Sequence, residues 1–186
     1  MHTPEMKAFV STYGLYNHGR LIGRWFDAFE LDDEEAVMDE LRAKALAAGI
    51  PEDDLDDIVG EEFMIQDHEG FPVPVSESQA PSSLAEIAND CEDGDVYLRV
   101  RLYAAANGAH DMNWSDIGSA SEDIIILHGR DLEDAVWNHL EETGMLAQLP
   151  EWAKNYFDCA AYGRDMLCEG WTEVTLDGDY YLVCTN

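Results

Sequence analysis

The amino-acid sequence predicts an α+β fold, made of small subdomains with short antiparallel sheets and a helical middle segment. Three observations predict it. Runs of β-forming residues and capped helical stretches are mixed along the chain. Asp177-Gly178 stands between two strand-like runs and marks a hairpin. The 186 residues are 46% apolar and 10% aromatic, so the chain can bury a core, whereas a disordered acidic chain is poor in both.

The first segment, residues 1–74, reads strand, strand, helix, strand. Lys7 to Tyr13 is rich in β-formers, and Asn17-His18-Gly19 supplies a turn. Leu21 to Phe29 follows as a strand, with Gly23 a bulge or close-packing point. Asp32 or Asp33 then caps a helix whose first turn holds Glu34 and Glu35, where the helix dipole favours them. Val37, Met38, Leu41, Ala45 and Leu46 form its apolar stripe, and Ala48-Gly49 with Pro51 ends it. The acidic stretch Glu52 to Asp57 leads to a third strand, Glu62 to Gln66. Phe71-Pro72-Val73-Pro74 reads as an extended linker.

The middle segment, residues 75–120, reads as mainly helical. Ser83 and Glu86 have capping-box spacing, and Asp95 is the expected cap of Val96 to Asn107, with Gly108 as the stop. Val96-Tyr97-Leu98 also fits a strand. A segment this short buries little core alone and leans on its neighbours.

The third segment, residues 121–186, opens on Ile124-Ile125-Ile126-Leu127, an apolar run typical of a strand covered on both faces. Asp131 caps a helix to Glu142 whose inner face is Leu132, Ala135, Val136, His139 and Leu140. Pro150 heads a helix over Glu151 to Asp158. Trp171 to Leu176 and Asp179 to Cys184 are the strands of the hairpin.

Charge is the dominant feature. Asp and Glu number 40 against 10 Lys and Arg, a net charge of −30. The three segments carry −13, −6 and −11, so the acidity is spread over the whole body. Ten scattered basic residues cannot form the patch a nucleic-acid binder needs to displace phosphate counterions. An anionic membrane surface repels such a chain, and no apolar run has the length of a membrane span. No signal peptide is visible, and cytoplasmic residence is the default expectation. The four cysteines, Cys91, Cys159, Cys168 and Cys184, lie far apart without a CxxC pair and read as ordinary thiols. Acidity alone also suits solubility or salt adaptation, as does the scarcity of lysine.

Catalytic signals are weak. Gly19 to Gly23 lacks the lysine and threonine of a phosphate loop, and no GxSxG elbow is present. The six histidines are isolated, and neither Asp53 to Asp57 nor Asp90 to Asp95 has the ligand spacing of a calcium loop. Forty carboxylates make accidental acid–base pairs inevitable, so such pairs carry no specificity. The expectation is a protein with no catalytic residues, no metal and no cofactor.

Duplex DNA presents about one charge per ~1.7 Å of axis, so thirty charges match roughly 50 Å, about fifteen base pairs. A globule of this length has a radius of gyration near ~16 Å, and segments strung end to end would fit that span better.

Several ordered motifs carry a resemblance. Tyr16-Asn17-His18-Gly19-Arg20-Leu21-Ile22-Gly23-Arg24-Trp25-Phe26 resembles the opening motif of the ArdA antirestriction proteins. Glu61-Glu62-Phe63-Met64-Ile65-Gln66-Asp67-His68-Glu69-Gly70-Phe71-Pro72 is similar to the family's following strand and turn, and Glu122 to Ile126 to its third-domain start. Glu141-Glu142-Thr143-Gly144, Leu149-Pro150 and Ala161-Tyr162-Gly163-Arg164-Asp165 complete the order, with a divergent middle segment. The resemblance implies an elongated, three-domain DNA mimic from a mobile genetic element. Its implied partners are the modification core of a type I restriction-modification enzyme, whose DNA groove it occupies, and a second copy, through the third domain.

On that reading, carboxylates stand in for phosphates. The candidates are Asp32, Asp33, Glu34, Glu35, Asp39, Glu40, Glu52, Asp53, Asp54, Asp56, Asp57, Glu61, Glu62 and Asp67, with Glu133, Asp134, Glu141 and Glu142 in the third segment. Each also fits a solvated helix face. The candidate dimer interface is Ile124, Ile125, Ile126 and Leu127, which equally fit a core strand. Two other classes compete: an acidic module sequestering a basic nucleoid or regulatory protein, and a hydrolase using two of these carboxylates.

Overall fold

A computed structural model describes residues 3–60, 62–108 and 114–185. The chain is α+β and divides into two compact units, Met1–Tyr97 and Leu98–Asn186. Helices of the middle segment are shared between them: α4 (Pro81–Asp90) belongs to the first, α6 (Trp114–Glu122) to the second, and α5 (Gly94–Asn107) contributes to both.

In the first unit, β1 (Lys7–Thr12) is the centre of an antiparallel sheet, flanked by β2 (Arg24–Asp27) and β3 (Phe63–Glu69). A register shift between Phe9 and Val10 marks a bulge against β3. Ala8, Val10 and Phe26 turn inward and are buried. Gly23 is the predicted close-packing point: a Cβ there would collide with the Phe9 ring and the Val10 carbonyl.

Two short elements follow from local capping. Thr12 ends β1 and caps α1 (Tyr13–Asn17), its Oγ1 accepting from the Leu15 N–H at 3.2 Å and donating to the Val59 carbonyl. Asp27 and Glu30 form a reciprocal capping box around the 3-10 turn Ala28–Asp32, which shortens the expected second strand. Thr12 is fully buried, so Thr12→Ala leaves two backbone groups without partners. We expect it to lower stability by about 1–3 kcal/mol, measured as a shift of the denaturant midpoint.

Asp33, rather than Asp32, caps α2 (Glu34–Ala47) by accepting from the Ala36 N–H at 3.1 Å. Val37, Leu41 and Ala45 are buried as the stripe requires, while Leu46 stands at its exposed end. The acidic run folds rather than forming a connector. It makes a 3-10 turn, Glu52–Asp54, and then α3 (Leu55–Val59), because Leu55 and Val59 anchor it in a cluster with Leu15, Ala45 and Ile50. Pro72 and Val73 are buried, so the expected linker packs into the first unit.

α4 starts at Pro81 in the first helical position, and Ser83 lies inside the helix, donating to the Ala80 carbonyl. The expected capping box at Ser83 is therefore absent. Asp93, not Asp95, stands at the head of α5 and accepts from the Asp95 N–H at 2.8 Å. Val96, Tyr97 and Leu98 are helical, which settles the helix-or-strand alternative.

The second unit is built on a sheet ordered β4 (Ile125–Gly129), β6 (Asp179–Cys184), β5 (Trp171–Leu176), all antiparallel. The hairpin forms as predicted, with Asp177 at φ +55° and Gly178 at φ +95°, the handedness a two-residue hairpin turn demands. The central strand alternates between two cores. Leu182 packs with Val136, Leu140 and Met166, from α7 (Leu132–Glu142) and α9 (Cys159–Cys168). Tyr181 and Val183 pack with Leu102 of α5, Ile124 and Val174. The central strand is thus covered on both faces, the reason Tyr180 to Cys184 reads as an apolar run.

Asp131 caps α7 as expected, accepting from the Asp134 N–H at 2.9 Å. The helix expected over Glu151 to Asp158 stops at Lys154, forming α8 (Glu151–Lys154). Asp158 instead caps α9, an element that the sequence patterning does not announce.

Candidate functional site

Every acidic residue described lies at the surface; only Asp27, Glu34 and Asp134 are half-buried and the rest are exposed. This follows from the cost of burying an ionised carboxylate without a partner. The positive charges are largely spent within the fold. Lys7 pairs with Glu69 at 3.0 Å, Arg24 with Glu30 and Glu40, and Arg42 with Asp56 at 3.2 Å. Arg101 grips Asp177 through two bonds, Arg130 pairs with Asp134 at 2.6 Å, and Lys154 with Glu151 at 2.7 Å. Lys44 donates to the Gly23 carbonyl, and Arg99 to the carbonyls of Ser121, Glu122 and Ile124.

These partners sort the predicted carboxylates. Six of them hold structure. Asp33 caps α2, and Asp67 accepts from the His68 N–H. Glu34 reaches across to α4 and accepts from both the Ser82 N–H, at 3.2 Å, and its hydroxyl, at 2.7 Å. It thereby caps a helix that has no side-chain cap of its own. Glu40, Asp56 and Asp134 are held by arginines.

The remainder face solvent with no side-chain hydrogen bond or ion pair among the described residues. In the first unit these are Asp32, Glu35, Asp39, Glu52, Asp53, Asp54, Asp57 and Glu62. Glu35 and Asp39 lie one helical turn apart on the side of α2 opposite its buried stripe. Glu133, Glu141 and Glu142 are the corresponding exposed set on α7. Glu61 lies outside the described residues. Exposed carboxylates that the candidate set omits include Glu122, Asp123, Asp165 and Glu169; Asp165 on α9 and Glu169 at its C-cap needed that helix to be recognised first.

Arg130 beside Asp134 holds its carboxyl down to about 2, through hydrogen bonds from the guanidinium and the backbone N–H. Its folded value lies below the ordinary 3.8, so the stability it lends is complete above that pH and is lost as pH falls toward 2. A difference in melting temperature between the natural chain and Asp134→Ala is expected at neutral pH and should close near pH 2. A gap unchanged across that range would contradict the pairing.

Of the candidate dimer residues, Ile124 and Leu127 are buried and Ile126 is half-buried, while Ile125 is 48% exposed on the outer strand of its sheet. The Ile124 carbonyl at the head of this run already accepts from Arg99, and the His128 carbonyl just after it from Asn138.

Among the described residues, no group of three or more His, Cys, Asp or Glu side chains could hold a metal ion. Nor is any helix among them long and apolar enough to cross a membrane. Burial pushes the Cys91 thiol up to about 12 and raises that of Cys159, so neither is an activated nucleophile. A shallow hollow of about 380 Å³ is lined by His128, Arg130, Asn138, Asp179 and Tyr180, but Arg130 there is already paired with Asp134.

No curated protein matches the chain. A family model described as Antirestriction protein (ArdA) matches residues 8–181. With nearly the whole chain covered, from β1 to the last strand of the second sheet, the protein belongs to the ArdA antirestriction family.

Proposed function

We propose that this protein is a non-enzymatic inhibitor that mimics B-form DNA and occupies the DNA-binding groove of type I restriction-modification enzymes. The observation that carries this reading is the one-sided charge economy of the surface. Among the described residues, carboxylates face outward throughout, while eight of the ten basic side chains are tied to carboxylates or carbonyls there, all but Arg20 and Arg164.

An enzyme groove that binds DNA non-specifically does so by exchanging counterions at phosphates, without reading bases. Carboxylates held on α2, α3 and α7 offer that groove the same charge on a fixed scaffold. A fixed array has less freedom to lose on binding than a flexible polyanion. Inhibition is then independent of the enzyme's recognition sequence, and blocks modification as well as restriction wherever the shared groove is used.

The free set is the primary contact: Asp32, Glu35, Asp39, Glu52, Asp53, Asp54, Asp57 and Glu62 in the first unit, Glu133, Glu141 and Glu142 in the second. A homodimer joined through the second unit would extend the array, with Ile125 the accessible member of its strand.

Plating of unmodified phage on cells with a type I system, with and without this protein, tests the reading. Restored plating is expected. Continued restriction in the presence of abundant, folded protein, across several type I families, would overturn it. Recovery of small basic proteins in place of the modification core would point instead to sequestration.

A further inference from the structure

The open face of the first sheet carries a feature that phosphate mimicry does not call for. β1 and β2 pair Phe9 with Trp25, and both rings stand on the side opposite buried Ala8, Val10 and Phe26. The rings meet edge to face, with centroids 5.7 Å apart and planes at 71°. Trp25 remains 37% exposed. Around the pair lie carboxylates of the two outer strands: Asp27 of β2 and Glu69 of β3 opposite Lys7, and Asp67 of β3 opposite Phe9.

The ring already attracts a cation. Lys7 Nζ sits 5.4 Å from the Trp25 centroid while bonded to Glu69 at 3.0 Å. That is the geometry of a cation on an aromatic face with a carboxylate closing the other side. An incoming guanidinium is better suited than an ammonium. It is planar, weakly hydrated, stacks on indole and can turn its N–H edge to a carboxylate at the same time.

We propose that this face is a docking surface for an arginine on the basic groove of the target enzyme, and that Trp25 is its principal affinity-determining residue. The inference rests on the proposed function and deepens it. The carboxylates supply long-range attraction and are mutually redundant. Trp25 supplies a desolvated contact, the kind of residue in which interface energy concentrates. The occupant follows from charge complementarity: exposed Asp67 and Glu69 beside an aromatic pair select a cationic partner with a flat face, which takes over from Lys7 both the Trp25 ring and the Glu69 carboxylate.

Titration of the purified modification core of a type I enzyme with the full chain tests this, at two or more salt concentrations. Trp25→Ala should weaken binding about tenfold or more while leaving the slope of log affinity against log salt unchanged, because no charge is removed. Trp25→Phe should recover most of the loss. Trp25→Leu, which keeps apolar packing on Phe9 without a π face, should behave like Trp25→Ala, and it covers the case in which the alanine variant fails to fold. Folded Trp25→Leu binding as tightly as the natural chain would overturn the inference and leave the proposed function standing. Failure of the natural chain itself to bind would overturn both.

Discussion

Replacing Asp32, Glu35, Asp39, Glu52, Asp53, Asp54 and Asp57 together by their amides is expected to abolish inhibition while leaving the fold intact. Each of these side chains is exposed and makes no structural bond in the described residues. An exposed charge contributes roughly 0.5 kcal/mol to a contact. Seven of them correspond to about 3–4 kcal/mol, and each 1.4 kcal/mol is tenfold in affinity, so a loss of a hundredfold or more follows. Single members of the set should cost less than about threefold. Binding should also lose much of its salt dependence, because fewer counterions are exchanged. Thermal stability should hold or rise, since the amides keep shape and relieve repulsion in a chain of net charge −30. The contrast is with Glu34. Its replacement by Ala uncaps α4 and should lower stability instead.

Leu182→Ala is expected to have the largest effect on stability. Its side chain is fully buried on the central strand of the second sheet, against Val136, Leu140 and Met166. A leucine deletion at such a site removes transfer energy and leaves a cavity, costing about 2–5 kcal/mol. The equally buried Val183, on the other face of the same strand, packs with Leu102 and Val174, so Val183→Ala probes the opposite core. Denaturant unfolding followed by far-UV circular dichroism measures both. A midpoint unchanged in Leu182→Ala would contradict the assignment of β6 as the strand that ties the two cores together.

The α+β class, the hairpin at Asp177-Gly178, the Asp131-capped helix and the apolar stripe of α2 were legible in the sequence. Each depends on short-range signals: a turn dipeptide, a cap, a 3.6-residue period. What escaped depended on partners distant in sequence. The acidic run from Glu52 looks like a solvated connector until Leu55 and Val59 are seen anchored beside Leu15, some forty residues upstream. α9 has a mixed Cys-Ala-Tyr-Gly composition, and its Gly163 is required by the close approach of Leu132 from α7.

The same limit applied to the carboxylates. Sequence showed that the surface must be acidic, but not which groups were already committed. Glu34 serves Ser82, 48 residues away, and Glu40 serves Arg24 across an element boundary. Local signals reached two of them: Asp33, one of the two caps expected for α2, and Asp134, four residues from Arg130, a spacing from which its engagement could be read. Family membership rests on many residues at once, which is why it was visible before any of these roles were.

The central claim is competition with DNA for one groove. Its most direct test is to load the modification core of a type I enzyme with a fluorescent duplex and titrate in the full chain at low salt. The account predicts complete displacement of the duplex, independent of its sequence and weakening as salt is raised. Duplex that stays bound in the presence of excess folded protein would contradict it.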